Sequence, residues 1–193
     1  MRQIISIIKS IKELVYSIHQ QNKIINRLKD LGIDAEAPIN IQSINKLRIA
    51  PPVYIGPNAN LYLRAELHIG SGTIIGPNLT VHTANHQYEG NAVPYDEVYI
   101  GQNVVIEKNV WIGGNVTLLP GIRIGEGAII GACSVITRDI PKFAIVAGNP
   151  AKIIKFRDIE RYLENVKSGR VYLDLKSKGL TETNEEKRLK TID

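Results

Sequence analysis

The stretch at residues 124–141, IGEGAIIGACSVITRDIP, carries isoleucine at every sixth position, at Ile124, Ile130 and Ile136. Glycine follows the first two of these isoleucines. A spacing of six fits neither the two-residue alternation of a strand nor the 3.6-residue period of a helix. We therefore interpret the stretch as part of a structural repeat, in which each unit is a short flat segment followed by a turn.

The six-residue spacing continues far beyond this stretch. Seven aliphatic residues keep it without a break: Ile100, Ile106, Ile112, Leu118, Ile124, Ile130 and Ile136. Upstream, the spacing holds over three residues, slips by two, and resumes over three more: Ile55, Leu61, Leu67, then Ile69, Ile75 and Val81. Because each unit buries its aliphatic side chain only by stacking on its neighbours, the pattern predicts an all-β solenoid of about five triangular coils within residues 50–150.

Glycine directly follows several of the aliphatic residues, as at Gly101, Gly113, Gly125 and Gly131. We expect these positions to lie at the bends between flat segments. Glycine adopts unusual backbone dihedral angles at lower cost than any other residue. The repeat therefore predicts such dihedral angles directly after each aliphatic residue.

One long insertion interrupts the register, at residues 82–99, HTANHQYEGNAVPYDEVY. A regular solenoid has no structural need for this insertion, so we predict a loop that protrudes from the coils. Long loops on rigid scaffolds often carry functional residues. The loop is therefore the first place to look for a site.

Helical patterns flank the solenoid. Within the N-terminal segment 1–34, apolar residues and one asparagine follow a heptad spacing: Ile4, Ile8, Ile11, Val15, Ile18, Asn22 and Ile25. This heptad spacing is typical of a coiled coil. The alternatives are a helix that packs on its own solenoid and a helix whose lysines contact a membrane surface. The C-terminal segment 151–193 is predicted to hold a short helix at 158–167 and a charged tail.

Composition excludes several classes of protein. The chain has 193 residues with a formal net charge of +5, and its basic residues form no single long block, so we do not expect nucleic-acid binding. The one cysteine, Cys133, allows no internal disulfide. No apolar run is as long as a membrane span, and the first residues lack the pattern of a signal peptide. We therefore expect a cytoplasmic protein.

Two segments resemble a known enzyme family. Residues 75–86, IGPNLTVHTANH, resemble the part of galactoside and maltose acetyltransferases that leads to their active-site histidine. Residues 110–155, from VWIGGNVTLLPG to GNPAKIIK, resemble the closing coils and exit loop of the same enzymes. The resemblance spans about residues 53–157 and extends to polysaccharide O-acetyltransferases. These proteins are hexapeptide-repeat acyltransferases with a left-handed parallel β-helix.

The resemblance implies a homotrimer that binds acetyl-CoA between neighbouring subunits and needs no metal. It places six residues along the acetyl-CoA: Gly114, Ala132, Thr137, Arg138, Lys152 and Lys155. The two lysines stand where the family often has arginines, and lysine binds phosphate as a point charge rather than a fork. Trp111 lies on an outward face, where it suits the acetyl-CoA groove or a contact between subunits.

The same resemblance makes His86 the general base. A neutral imidazole can accept the proton of an attacking hydroxyl, which contributes about 10²–10⁴-fold to the rate. The bend at Gly113–Gly114 is a candidate donor to the oxyanion. The ring has four candidate orienting groups, three of them carboxylates: Glu89, Asp96, Glu97 or a backbone carbonyl. The single Cys133 suits packing better than nucleophilic attack.

The acceptor is less constrained than the acyl donor. Asn60, Arg64 and His82 are candidate acceptor-binding residues, although the coil NANLYLRAE that contains the first two is shorter than in galactoside enzymes. A sugar hydroxyl on a glycan precursor or small glycoside is the expected acceptor. An amino sugar, serine or an antibiotic is the alternative. A second class is a zinc enzyme resembling gamma-type carbonic anhydrase, which would need three histidine ligands, but the close spacing of His68, His82 and His86 does not fit that family. A third class is a non-catalytic scaffold.

Overall fold

A computed structural model of the chain describes residues 2–181, so the predicted charged tail from residue 182 onward lies outside the described residues. The side chains of Ile4 and Ile8, in the predicted heptad pattern, also lie outside them. Helices flank the strands at both ends: α1 (Arg2–Asp30), α2 (Ile159–Lys167) and α3 (Tyr172–Ser177). The predicted helices at the two ends are therefore confirmed.

Short strands occupy most of the region between α1 and α2. In chain order they are β1 (Ile33–Ala35), β2 (Ile39–Ile41), β3 (Leu47–Ile49), β4 (Val53–Ile55), β5 (Ala59–Tyr62), β6 (Leu67–Ile69), β7 (Ile74–Ile75), β8 (Thr80–His82), β9 (Ala84–His86), β10 (Tyr99–Gly101), β11 (Val104–Ile106), β12 (Trp111–Ile112), β13 (Thr117–Leu118), β14 (Arg123–Ile124), β15 (Ile129–Ile130), β16 (Val135–Ile136), β17 (Ala144–Gly148) and β18 (Ala151–Phe156).

These strands stack into the three faces of a parallel β-solenoid. The first face has the order β1-β4-β7-β12-β15-β17-β18, the second β2-β5-β8-β13-β16, and the third β3-β6-β11-β14. All pairings within the faces are parallel except the last, in which β18 runs antiparallel to β17. The predicted solenoid is confirmed, with about six turns.

The additional turn precedes the predicted start of the solenoid. Strands β1, β2 and β3 form a coil that begins at Ile33 rather than near residue 50. Its inward residues Ile41 and Ile49 are eight apart in sequence, and a short 3₁₀ turn, Ile44–Lys46, lies between them. The next coil has the same two-residue insertion between Leu61 and Ile69.

The core is a set of aliphatic columns. On the first face, Ile55 pairs with Ile75, Ile75 with Ile112, and Ile112 with Ile130 in successive coils. Each of these side chains is at most 1% exposed. Full burial of such a side chain stabilises a fold by about 1.5–3 kcal/mol, so the repeated register is itself the main source of stability.

The expectation for the glycines needs correction. Positive φ angles occur three residues after the aliphatic residue, as at Asn115 (φ 58°) and Gly127 (φ 67°), and not directly after it. A Cβ on Gly113 would instead lie 2.7 Å from the backbone nitrogen of Ala132, and one on Gly125 would lie 2.5 Å from that of Lys142. At Gly113 and Gly125 the first position of the turn requires glycine because adjacent coils approach too closely there for a side chain.

Among its described side chains, helix α1 packs on the first coil through its C-terminal turns. Leu28 is fully buried, and Ile24 and Ile25 pack against the core. The side chain of Gln21 accepts a hydrogen bond from the backbone N–H of Ile39 at 2.9 Å. Farther from the solenoid, several apolar residues are more than half exposed: Ile11, Leu14, Val15, Tyr16 and Ile18. The coiled coil stays a prediction for this exposed part of α1.

The C-terminal helices return to the first face. Asp158 caps α2 by accepting a hydrogen bond from the N–H of Arg161 at 2.9 Å. The buried Tyr162 donates its hydroxyl proton to Glu126 at 3.1 Å and accepts a hydrogen bond from Asn109 at 2.9 Å. Within residues 2–181 no helix is both long and apolar enough to cross a membrane.

Candidate active site

The predicted loop forms a β-hairpin at the turn between the second and third faces. Strands β9 and β10 pair antiparallel, and His86 lies directly opposite Tyr99. Side chains of directly opposite residues lie on the same side of a hairpin and interact. The hairpin therefore projects His86 from the solenoid beside a tyrosine ring.

Two tyrosines hold the His86 ring. Its centroid lies 3.8 Å from that of Tyr95, nearly parallel at 27°, and 4.1 Å from that of Tyr99. Its Nδ1 atom is buried and, among the described residues, has no hydrogen-bond partner. Stacking on the tyrosines, rather than a hydrogen bond within the chain, therefore sets the orientation of the imidazole.

Among the described residues, none of the three candidate orienting carboxylates forms a hydrogen bond with the imidazole. Asp96 is 9% exposed and accepts hydrogen bonds from the backbone N–H groups of Val98 at 2.9 Å and Asn91 at 3.3 Å. Its carboxylate therefore fixes the shape of the hairpin. Glu89 and Glu97 are exposed. Over the described part of the chain, no hydrogen bond joins the His86 ring to any of the three acids or to a backbone carbonyl.

Arg64 is brought to the hairpin by the two-residue insertion between the second and third faces. The buried hydroxyl of Thr83 accepts hydrogen bonds from the backbone N–H groups of Arg64 and Ala65, both at 2.9 Å. The guanidinium of Arg64 then lies 3.4 Å from the centre of the Tyr99 ring. Arg64, Tyr99 and His86 therefore form one continuous cluster.

A shallow cavity lies beside this cluster. It has a volume of about 250 Å³, and its lining comprises Gln42, Tyr62, Arg64, His82, Ala84, Asn85, His86 and Tyr99. The ring of His82 stacks on Tyr62 with centroids 4.9 Å apart. The cavity thus brings together three of the residues predicted from sequence: His86, His82 and Arg64.

Four of the predicted acetyl-CoA residues lie at two edges of the solenoid, and the two lysines lie on strand β18 of the first face. Gly114 and Ala132 lie at the turn between the first and second faces, where the backbone N–H of Cys133 donates to the carbonyl of Gly114 at 2.9 Å. On antiparallel β18, Lys152 pairs with Ala147 and Lys155 with Ile145, and both lysines are exposed.

Thr137 and Arg138 lie at the other edge, between the second and third faces, after β16. This is the edge from which the hairpin projects. One chain therefore does not bring Gly114 and His86 to the same edge, and the Gly113–Gly114 bend is separated from the imidazole by the second face.

The other predicted residues lie elsewhere. Asn60 lies outside the lining of the cavity, and its side chain accepts a hydrogen bond from Asn40 at 2.9 Å. His68 pairs with Glu66 at 2.9 Å on the third face. Trp111 is 57% exposed on the first face. The exposed Cys133 has a φ of 60° at a turn. Among the described residues, no group of three His, Cys, Asp or Glu side chains is placed to hold a metal ion.

Sequence reasoning missed the residues that surround His86. Tyr95 and Tyr99 lie within the predicted loop, and Tyr62 and Gln42 lie in earlier coils, but no sequence pattern assigns any of the four a role. A signal for Gln42 was present, because the spacing Ile41–Ile49 repeats the two-residue slip of Leu61–Ile69 and marks a further coil above the site. The stacking itself has no sequence signature.

The family model described as Bacterial transferase hexapeptide (six repeats) matches residues 103–138. The galactoside O-acetyltransferase of Lactococcus lactis is 36% identical over 101 residues, which is 52% of this chain and 48% of that protein. The chain thus spans about half the length of this relative.

Two solved structures match a larger share of this chain than the Lactococcus lactis protein does. A hexapeptide-repeat acetyltransferase of Vibrio cholerae, solved in complex with acetyl-CoA, is 30% identical, has a TM-score of 0.60, and matches 66% of this chain and 72% of its own. A maltose O-acetyltransferase of Clostridium difficile is 32% identical, with a TM-score of 0.61, over 65% of this chain and 67% of its own. Both are similar to this chain in sequence and in fold.

Proposed function

Because this chain belongs to the hexapeptide-repeat acetyltransferases, we propose that it transfers acetyl from acetyl-CoA to a sugar hydroxyl with His86 as general base. The observation that carries the proposal is the placement of His86 in the cavity at the hairpin, its ring held by Tyr95 and Tyr99. An imidazole that is fixed in position and open to a small cavity is suited to accept a proton from a bound hydroxyl.

The reaction is a direct transfer. The acceptor oxygen attacks the thioester carbonyl carbon while its proton passes to His86. The tetrahedral intermediate then collapses, the carbon–sulfur bond breaks, and protonated His86 returns the proton to the leaving thiolate. The products are the acetyl ester and free coenzyme A. No nucleophilic side chain is needed, because the thioester is already activated, and holding the two reactants together supplies much of the rate.

A homotrimer completes the site. Gly114, Ala132 and Lys152 lie along the edge between the first and second faces, whereas the hairpin of the same chain projects from the next edge. A groove between two copies would bring the first edge of one copy to the hairpin of another. In that arrangement acetyl-CoA lies along Gly114 and Ala132, and Lys152 and Lys155 attract its phosphates.

Gly114 also has a free backbone donor for the oxyanion. The backbone N–H of Gly113 donates a hydrogen bond to the carbonyl of Ile130 at 2.8 Å. Within residues 2–181 the backbone N–H of Gly114 donates no backbone hydrogen bond. An N–H that points from a turn into the groove would stabilise the charge that develops on the carbonyl oxygen. A sugar acceptor is supported by the cavity lining, which has amide, phenol hydroxyl and imidazole groups, the guanidinium of Arg64 and no carboxylate.

The test is an acceptor screen with acetyl-CoA, scored by release of free thiol. Substitution His86→Ala is expected to lower kcat by at least about 10²-fold with little change in acetyl-CoA affinity measured by calorimetry. The matched control is His68→Ala, which removes an imidazole on the third face and should keep wild-type turnover. Equal rates for the wild type and His86→Ala would refute the role of His86.

A further inference from the structure

A second cavity adjoins the one at His86. It lies between helix α1 and the second face, has a volume of about 350 Å³, and is lined in part by Ile24, Asn40, Gln42 and Tyr62. Gln42 and Tyr62 line both cavities. The two cavities are therefore adjacent and meet at Gln42 and Tyr62, and we refer to both together as the groove.

The groove runs along the solenoid axis rather than around a coil. Tyr62 pairs with His82 in the next coil, and the backbone N–H of Gln42 donates to the carbonyl of Leu61 beside Tyr62 at 3.0 Å. Gln42, Tyr62 and His82 thus form a column that crosses three successive coils, with one residue from each coil. Neighbouring strands are about 4.8 Å apart, so this column extends roughly 10 Å from the level of His82 to that of Gln42.

The lining of the second cavity has no charged side chain. Tyr62 is 49% exposed, so part of its ring faces the groove while the ring also stacks on His82. Asn40 and Gln42 contribute amide groups, which both donate and accept hydrogen bonds. An exposed aromatic ring next to neutral amides suits the apolar faces and the hydroxyl groups of sugar rings, and this cavity offers no oppositely charged side chain to a charged ligand.

We propose that this groove binds the distal units of an extended neutral oligosaccharide, whose reactive hydroxyl lies at His86. The inference rests on the proposed function, since it assigns the rest of the acceptor of that same site. It makes the protein an enzyme of glycan chains rather than of single sugars. Gln42 and Tyr62 contact the unit next to the reactive one, and Asn40 and Ile24 contact the unit beyond.

The experiment uses two series of acceptors with the full chain: p-nitrophenyl β-galactosides with one to four galactose units, and glucose through maltotetraose. Thiol release gives kcat/KM for each length. In at least one series, kcat/KM should rise at least about tenfold from one to three units, the gain expected from one well-placed contact. Substitution Asn40→Trp fills the distal part of the groove and should remove this rise.

The matched control is Asp34→Trp, an outward substitution on the same coil but on the first face. It should keep the rise with length. If Asn40→Trp fails to fold by circular dichroism, Gln42→Ala replaces it and should reduce the rise by several-fold.

If turnover depends on His86 but kcat/KM is the same for every acceptor length, the proposal that the groove binds an oligosaccharide is wrong and the proposed function stays intact. A rise that persists in Asn40→Trp would overturn the proposal for the groove as well. Absence of turnover with both series would instead overturn the proposed sugar acetylation.

Discussion

The imidazole of His86 lies against the ring of Tyr95, with ring centroids 3.8 Å apart and planes inclined by 27°. With Tyr99 at 4.1 Å, it is enclosed by aromatic rings instead of being held by a carboxylate. The sequence identifies His86 as a candidate base, but it does not identify Tyr95 or Tyr99 as the residues that contact its ring. These contacts also make the position of the proposed base depend on the shape of the hairpin.

Removing either ring should therefore misplace the base. Aromatic contacts of this kind contribute about 0.5–1.5 kcal/mol, so Tyr95→Ala and Tyr99→Ala are each expected to lower kcat up to roughly tenfold. Tyr95→Phe and Tyr99→Phe keep the ring and should restore most of the rate. Steady-state kinetics measure both pairs. The control is Tyr88→Ala on the same hairpin, whose side chain is 68% exposed. An equal loss in that variant would contradict the positioning role.

The carboxylate of Asp96 should hold the hairpin in shape. Hydrogen bonds to a charged group contribute about 1.5–3 kcal/mol, and Asp96 accepts two from backbone N–H groups. Asp96→Ala should therefore speed hydrogen exchange at the amides of Asn91 and Val98 and lower turnover. The neighbouring exposed Glu97→Ala should change neither. Unaltered exchange in Asp96→Ala would show that the hairpin is held by other contacts.

Two adjacent glycines should differ in their tolerance of a methyl group. In Gly113→Ala the new Cβ would lie 2.7 Å from the backbone nitrogen of Ala132, so the coils must separate. Forcing an extra methyl group into a packed position costs about 1–3 kcal/mol. In Gly114→Ala the nearest atom is the Cγ of Pro77 at 3.4 Å, an ordinary contact, and the cost should be below about 0.5 kcal/mol. Urea unfolding of both variants measures the difference, and similar midpoints would contradict the close approach of the coils.

Acid should weaken an ion cluster at the turn between the third and first faces. Burial alone would raise the pKa of Glu107, but hydrogen bonds from the N–H of Glu126 and from Arg123, with the charge of Lys142, hold that pKa below its ordinary value. A lowered pKa in the folded state means that this stabilisation is present above the unfolded-state pKa of 4.5 and is lost as pH falls through the folded-state value.

Glu107→Gln should consequently destabilise the protein at pH 7, by an amount of order 1 kcal/mol, and by less at pH 3. Thermal unfolding of both proteins across this range measures the effect. The exposed loop residue Glu89 supplies the control Glu89→Gln, which should leave the unfolding temperature unchanged at pH 7. A difference between the wild type and Glu107→Gln that does not depend on pH would refute this account of the cluster.

The sequence by itself determined the solenoid and the place of His86. Each aliphatic residue of the six-residue register must stack on its equivalents, so Ile112 and Ile130 indicate a coil before any coordinate is known. The break in that register likewise marked the hairpin. The six-residue spacing does not reveal the first coil, because the two-residue insertion between Ile41 and Ile49 interrupts it.

Only the tertiary structure decided what surrounds the imidazole and why glycine follows the aliphatic residues. Arg64 and His86 are 22 positions apart, and they share Tyr99 as a neighbour because a coil stacks on the next and a hairpin folds back on itself. Gly113 is constrained by Ala132 of the next coil. A local pattern specifies how each segment bends, whereas the contacts between segments depend on the distance between stacked coils, which no short stretch of sequence contains.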